Sequence, residues 1–467
     1  MSDKKAASGL VKGDRLALTV TGVNNLGCGV CRAPDGRAVF VAGAVTGDAV
    51  EAELIKVTAT YAVGKLLAVK TPSPDRVDDF CAAPLSCGGC VYRCLAYERE
   101  IAEKRDYVRF AFRKAGLDPV VEEVRTAGPV SGYRNKAEYP IARQNGHLFG
   151  GFYAPRTHTV IPADDCALVP PVFGAILGTV CRLFESRGIE AYDEKTGRGM
   201  LRHLYLRHAP GTGEIMVCPV LKENKLPDAA GFAAALTRAY PQIVSVMLNI
   251  NPDDTNVVLG KTFYTVWGKS YLTDVLCGKR FMIGPAAFYQ VNHDATELLY
   301  GLAAERAGQG DLLLDLYCGV GTVGLSLSDR FTRLVGVEIV PDAVNAARQN
   351  AKENGVENAA FYCGDAADTE KLLFAAEQAE GKLKPDAVIL DPPRRGCDEK
   401  LLRFLAKRAV SRIVYVSCNP DTLARDAALL VSLGYTLGTV TPVNMFPRTG
   451  HVESVICLTR NENKTEK

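Results

Sequence analysis

The 467-residue chain has no apolar run long enough to span a bilayer, which argues against a helical membrane enzyme. It also lacks a secretory hydrophobic region behind its charged first residues, so a cytoplasmic location without membrane attachment is the expectation. It is poor in net charge. Lys and Arg number 55 against 53 Asp and Glu, a formal +2, so an RNA-binding site would have to be a local patch. A disulfide frame is missing as well: fifteen cysteines, odd in number and scattered through a long chain, read as reduced thiols or metal ligands. Charged residues at 23% and aromatics at 8% are ordinary for a globular protein, so composition decides nothing further and the motifs must. The length implies two or three domains.

What the sequence does contain is a set of strand-like runs that end in reactive groups. Arg412–Ser417 is a short, β-branched apolar run of the kind that forms a buried parallel strand. It stops at Ser417-Cys418-Asn419-Pro420, where proline prevents strand or helix from continuing directly. Cys418 therefore falls at the carboxyl end of a strand, where open α/β sheets hold their ligands. A single cysteine is more often a buried, inert thiol. Two similar strand ends shift the balance. Leu312–Leu316 runs into Tyr317-Cys-Gly319-Val-Gly321-Thr-Val-Gly324, whose glycines permit close backbone approach to a ligand. These glycines satisfy G-x-G-x-x-G, so a nicotinamide or flavin enzyme has to be weighed. Leu334–Glu338 ends in a carboxylate suited to a ribose diol, which NAD and S-adenosylmethionine share. Val388–Asp391 ends in an acid followed by Pro392, Pro393, Arg394, Arg395 and Gly396. A dehydrogenase has no chemical need for that rigid acidic corner, whereas a nucleobase methyltransferase does.

Asp391-Pro-Pro-Arg394, then Ser417-Cys-Asn-Pro420, with His451-Val-Glu453 beyond, resembles the RNA (uracil-C5)-methyltransferase family. The resemblance implies an α/β fold with a Rossmann-like class I methyltransferase domain over residues 276–460. S-adenosyl-L-methionine would then be held by Gln290, Tyr317, Gly319, Glu338, Asp365 and Asp391. Gln290 stands in a Phe288-Tyr-Gln-Val-Asn292 motif, for which the plainer reading is a helix cap near Asn292. Asp365 ends the run Phe361–Asp365 and would face the adenine. Cys418 would be the nucleophile and Glu453 the base; the plainer reading of Glu453 is an ion pair with Arg448.

Upstream, residues 9–70 alternate short strands with glycine turns, which suggests a small barrel of the OB type. Gly27-Cys-Gly-Val30 and Phe40-Val-Ala-Gly43 resemble the TRAM domain, and Thr71-Pro-Ser-Pro74 reads as a linker. Residues 75–275 are expected to form a central α+β, RNA-facing domain. Cys81, Cys87 and Cys90 surround a Gly-Gly turn with the spacing of zinc or iron–sulfur ligands. The family resemblance implies a 4Fe-4S cluster with Cys166 as the distant ligand and Cys94 as an extra candidate, while Arg93 stands where relatives usually carry glutamine. A helical segment from Leu95 to Ala115 carries Arg99, Lys104, Arg105, Arg109, Arg113 and Lys114 between Tyr97, Tyr107 and Phe110. It reads either as a solvated amphipathic helix or as a phosphate-facing surface. Tyr133–Lys136 and the stretch Arg198–His208 are further basic candidates, and residues 1–8 and 461–467 read as loose ends.

The chemistry implied is covalent. C5 of uracil is too weak a nucleophile until a thiolate adds to C6, and a base must later remove the C5 proton. The target base has to leave its stack, so a looped RNA is the natural substrate, with no obligate protein partner. Relatives with both barrel and cluster resemble bacterial 23S ribosomal RNA enzymes; the alternative is the same chemistry on tRNA uridine. A base N-methyltransferase needs no Cys418, a cytosine-C5 enzyme carries other motifs, and an iron–sulfur RNA-binding protein with a non-catalytic core is the alternative from another class.

Overall fold

The computed structural model describes residues 9–368, 370–371, 377 and 384–461, so the expected loose ends at 1–8 and 462–467 lie outside it. Five strands, Arg15–Val23, Cys28–Arg32, Ala38–Ala42, Ala49–Val57 and Tyr61–Thr71, close into a barrel. Alternation puts Leu18, Val20, Val39, Val41, Val50 and Leu54 inside it. The first strand pairs with the fourth, and the third pairs in parallel with the fifth, which leaves no free edge. The expected linker begins as a tether: Ser73 donates its amide to buried Asp48 at 2.9 Å, and Arg76 grips the same carboxylate at 2.6 Å.

A seven-stranded sheet follows. Its central strands, Lys136–Gln144, Leu201–Ala209 and Glu214–Leu221, pack against the helices Pro171–Glu185 and Ala229–Ala239. Here three of the basic candidates, Arg202, His203 and Arg207, are buried, whereas Arg198 stays exposed. Arg202 is buried and donates to the carbonyls of Asn251 and Asp253, while Arg207 donates to those of Gly284 and Ala287. His203 is buried too. A strand inside a sheet points half its side chains inward, so charge in the sequence did not mean charge on the surface.

The C-terminal sheet has eight strands. Along it run Ala359–Cys363, Phe331–Glu338, Gly310–Leu316, Ala387–Leu390, Arg412–Ser417, Glu453–Arg460 and Tyr435–Leu437, with Thr441–Val443 pairing against Glu453–Arg460. The first five are parallel, and Glu453–Arg460 is antiparallel to its neighbour, with Ser417 opposite Ser454. Their apolar runs bury both faces, as parallel strands must. One face packs on Leu299, Ala303, Val344 and Ala347 of the helices His293–Ala307 and Pro341–Glu353. The other packs on Leu401, Leu405, Leu423 and Leu430 of Glu399–Lys407 and Pro420–Ser432.

The basic helix, Tyr97–Lys114, lies on this second layer through Val108, Ala111 and Phe112. Lys104 is buried, and most of the other charges sit in ion pairs at the surface, so the solvated amphipathic reading holds for most of them and not for Lys104. Lys104 is buried against Glu100, Arg99 pairs with Glu103, Arg105 with Glu123, Arg113 with Asp118 and Lys114 with Asp421. Tyr107 donates to Asp421 at 2.8 Å, so of the expected stacking groups Phe110 is the exposed one.

Candidate active site

The carboxyl ends of the parallel strands open into a cavity of about 550 Å³, and every residue expected to hold donor or substrate lines it: Gln290, Tyr317, Gly319, Glu338, Asp365, Asp391, Cys418 and Glu453. Each arrives by a distinct local device. Strand Gly310–Leu316 ends at Tyr317, a non-glycine residue with φ 64°, a strained conformation of the kind that collects at ligand sites. Behind it, buried Asp315 accepts the amide of Gly324 at 2.8 Å. A Cβ on Gly324 would lie 2.7 Å from that carboxylate oxygen, which explains this glycine. The following helix, Thr322–Ser326, has five residues, a single turn. Glu338 closes the loop from the next strand, its Oε2 accepting the Gly319 amide at 3.1 Å and its Oε1 that of Val340 at 2.9 Å.

The two proline motifs are tied together. Asn419 accepts the Asp421 amide as N-cap, and its Nδ2 donates to the Arg394 carbonyl at 2.9 Å. Pro420 is the first residue of helix Pro420–Ser432, where its missing N–H costs nothing. The strand does stop there, as expected, but the helix begins at once. Asn292 is both things weighed for it: its Oδ1 caps helix His293–Ala307, and its motif neighbour Gln290 faces the cavity.

Enclosure favours the protonated form of the two buried acids of the site, Asp391 and Glu453. Enclosure pushes the Asp391 carboxyl up to about 7. Burial, then the nearby Asp391 charge, raises Glu453 well above the ordinary carboxylate range, with Arg394 opposing. Glu453 is 3% exposed, and its Oε2 has no hydrogen-bond partner among the described residues. Burial and the Glu453 charge push the Cys418 thiol up to about 11, again against Arg394. The plainer reading, a pair with a nearby arginine such as Arg448, does not hold for Arg448, which lies 3.7 Å from Glu100; the arginine whose charge reaches Glu453 is Arg394.

A second cavity, of about 260 Å³, is lined by Cys81, Cys87, Cys90 and Cys166. Burial and the neighbouring charges of Cys166, Cys81 and Cys87 drive the Cys90 thiol up to about 12. These four thiols suit a sulfur-ligated metal group. Among the described residues, no group of three or more His, Cys, Asp or Glu is placed closely enough to hold a metal ion. Cys94 packs elsewhere, beside Val23, Val45, Tyr92 and Leu95. Arg93 is built into the loop, donating to the carbonyls of Cys81 and Ala83, each at 2.6 Å, and to Asp79.

Sequence reasoning passed over Phe446 and Tyr300 and named His451 only as part of the Glu453 motif. Phe446 lines the cavity and meets the His451 ring edge-on at 5.9 Å. His451 lies 3.3 Å from Arg394, and burial together with that cation pushes its pKa down to about 4. Tyr300 reaches the cavity while sharing a hydrogen bond with Thr322 at 2.9 Å. Phe446 and His451 flank one loop and were findable from their nearness to Glu453; Tyr300 carries no such signal.

Comparison with known proteins adds five likenesses. Residues 269–461 match the family described as tRNA (Uracil-5-)-methyltransferase, and residues 10–67 match the TRAM domain. An uncharacterized RNA methyltransferase of Clostridium tetani is 41% identical over 445 residues, 95% of this chain and 95% of that protein. One from Halalkalibacterium halodurans is 37% identical over 451 residues, 96% of this chain and 97% of that protein. The solved structure of Pyrococcus abyssi tRNA (uracil-54, C5)-methyltransferase in complex with S-adenosyl-L-homocysteine covers 96% of this chain and 100% of its own. It has 26% identity and a TM-score of 0.75.

Proposed function

The chain belongs to the RNA (uracil-5)-methyltransferase family, and from that premise we infer that it transfers a methyl group from S-adenosyl-L-methionine to C5 of a uridine in RNA through a covalent Cys418 adduct. The observation that carries this reading is the meeting of Cys418, Glu453 and Asp391 with Gln290, Glu338 and Asp365 in one cavity. The donor, when bound, supplies an electrophilic methyl on a sulfonium. Gln290, Tyr317, Gly319, Glu338, Asp365 and Asp391 hold and orient it.

Cys418 Sγ, as thiolate, adds to C6 of the extruded uracil, and the displaced π electrons move through C5 toward O4. C5 then attacks the donor's methyl carbon; the S–CH3 bond breaks with its electron pair staying on sulfur, which leaves as the thioether of S-adenosyl-L-homocysteine. The Glu453 carboxylate removes the remaining C5 proton, and the electrons of that C–H bond re-form the C5–C6 double bond while expelling Cys418. A carboxylate kept from water is a stronger base than one in solution, which is what burial gives Glu453. The same burial means that Glu453 and Cys418 must both lose their protons before they act.

The three parts divide the labour: the barrel at 9–70 and the central region at 75–275 hold RNA, and residues 276–460 do the chemistry. Cys81, Cys87, Cys90 and Cys166 would hold a 4Fe-4S cluster. What supports a sulfur-ligated group there is that all four thiols line one cavity. The substrate we propose is 23S ribosomal RNA, at one or two uridines. The likeness to the tRNA (uracil-54, C5)-methyltransferase favours tRNA as the second reading. Labelled methyl transfer to total RNA, with nucleoside analysis and mapping of the 5-methyluridine lost on gene deletion, separates them. Label appearing in another nucleoside would overturn the uracil-C5 assignment.

A further inference from the structure

The loop from Asn444 to Gly450 joins two parts of the site, since Phe446 lines the cavity and Glu453 lies three residues past its end. Its middle residue is held in an unusual way. Arg448 has φ 67°, a left-handed conformation that a residue with a side chain keeps only when its surroundings over-determine it. Those surroundings all come from one segment. The Arg448 amide donates to Glu100 Oε1 at 2.9 Å, its carbonyl accepts the Tyr92 amide at 3.1 Å, and its Nη1 donates to the Leu95 carbonyl at 2.9 Å. Its guanidinium lies 5.4 Å from the ring centres of both Phe80 and Tyr97. Phe80 precedes Cys81 and lines the four-cysteine cavity with it, and Tyr92 follows Cys90 by two positions. Two further ties run the same way: Lys104 Nζ donates to Asn444 Oδ1 at 2.7 Å and to the Phe446 carbonyl at 3.0 Å.

We propose that Arg448 is a positioning residue through which the folded state of the four-cysteine segment sets the loop that carries Phe446 and leads to Glu453. The proposal rests on the reading of those two as site residues. When Phe80, Tyr92 and Leu95 are in register, Arg448 is held left-handed and Glu453 is aimed into the cavity. When the cysteine segment loosens, through loss of whatever the thiols bind or through their oxidation, the clamp on Arg448 is released and the loop relaxes. Of the donor residues, Tyr317, Gly319 and Glu338 make no hydrogen bond to this loop among the described residues, whereas Gln290 stands two positions before Asn292, which donates to the Met445 carbonyl at 3.1 Å. Coupling therefore acts chiefly on the covalent and proton-transfer steps, with donor binding little changed.

Hydrogen exchange followed by mass spectrometry, on the full chain purified anaerobically, tests this. In Arg448→Ala and in the Cys87→Ser, Cys90→Ser double variant, peptides spanning residues 444–453 are expected to exchange at least tenfold faster. Peptides from Gly310–Leu316 and Phe331–Glu338 should stay as protected as in the wild type, with S-adenosyl-L-homocysteine affinity within twofold. Arg448→Lys, which keeps a cation over the two rings, should retain most of the protection. In turnover, Arg448→Ala should lower kcat at least tenfold with the KM for donor unchanged. Should the double variant not fold, Cys166→Ser replaces it. Unchanged exchange at 444–453 in the cysteine variant overturns the proposal, and so does protection lost evenly across both sheets. If the wild type methylates no uridine, the functional reading fails, while the exchange comparison still decides the coupling.

Discussion

At the scale of single residues, the site joins a thiol and a carboxyl that both resist ionisation. Their active forms are the deprotonated ones, and both are pushed upward, Cys418 to about 11. Activity should therefore rise with pH. We expect log kcat/KM to climb from pH 6 to 9 with no descending limb in that range; a bell centred near neutrality would contradict the assignment. Glu453→Gln should stop the reaction after methyl transfer and leave methylated RNA covalently bound to protein on a denaturing gel. Cys418→Ala should bind donor and RNA and give neither adduct nor product. Turnover near the wild-type rate in Glu453→Gln would remove it from the role of base. Glu338→Ala should weaken donor binding by about 1–3 kcal/mol. Because Glu338 also holds the Gly319 amide, the loss includes disorder of the loop, and calorimetry should show a less favourable entropy as well.

At the scale of elements, the buried ion pair of Lys104 and Glu100 fastens helix Tyr97–Lys114 to the catalytic loop. Lys104→Ala leaves the buried Glu100 carboxylate with Arg448, 3.7 Å away, as its remaining cation and should cost about 3 kcal/mol, measured by urea unfolding. A loss below 1 kcal/mol would mean that Arg448 alone compensates Glu100. This helix also marks the limit of what the sequence could tell. Strands such as Arg412–Ser417 were legible because β-branched apolar runs in a parallel sheet depend on little beyond themselves. The cavity residues were legible because each follows such a strand. The basic helix was not, because whether a lysine faces RNA or a buried glutamate depends on partners hundreds of residues away, as with Asn444 and Lys104. Arg202 and Arg207 were missed for the same reason, since their acceptors are backbone carbonyls, which leave no mark in a sequence.

At the scale of the whole molecule, the barrel is pressed onto the catalytic loop. A Cβ on Gly450 would fall 1.8 Å from the Asn25 carbonyl, and Tyr92 donates to the Asn24 carbonyl at 3.1 Å. Gly450→Ala should prise the barrel from the site and raise the KM for RNA several-fold while leaving donor affinity unchanged. An unaltered KM for RNA would mean that the barrel takes no part in substrate binding. The buried acids set the pH dependence of stability. Asp315 and Asp391 are raised to about 7 from 3.8, so between those values the folded chain holds protons that the unfolded chain has released. Stability should then fall as pH rises from about 4 to 7, by at most about 1.4 kcal/mol per pH unit for each group. The isosteric Asp315→Asn should flatten that decline in urea midpoints, and an identical slope would show that Asp315 does not hold its proton.

The position of strand Glu453–Arg460 has a consequence for how the protein is made. It is the last strand of its sheet in sequence, yet it sits between Arg412–Ser417 and Tyr435–Leu437. On the ribosome, the barrel and the seven-stranded sheet can form early, because their partners have already emerged. The C-terminal sheet has to keep a slot open until residue 460 is free of the exit tunnel. During that interval Cys418 and Asp391 are already synthesised, but the strand carrying Glu453 is not yet in place. A nascent chain that met RNA then would have the proposed nucleophile without the proposed base, so until this strand inserts, the unfinished enzyme could capture RNA that it could not release.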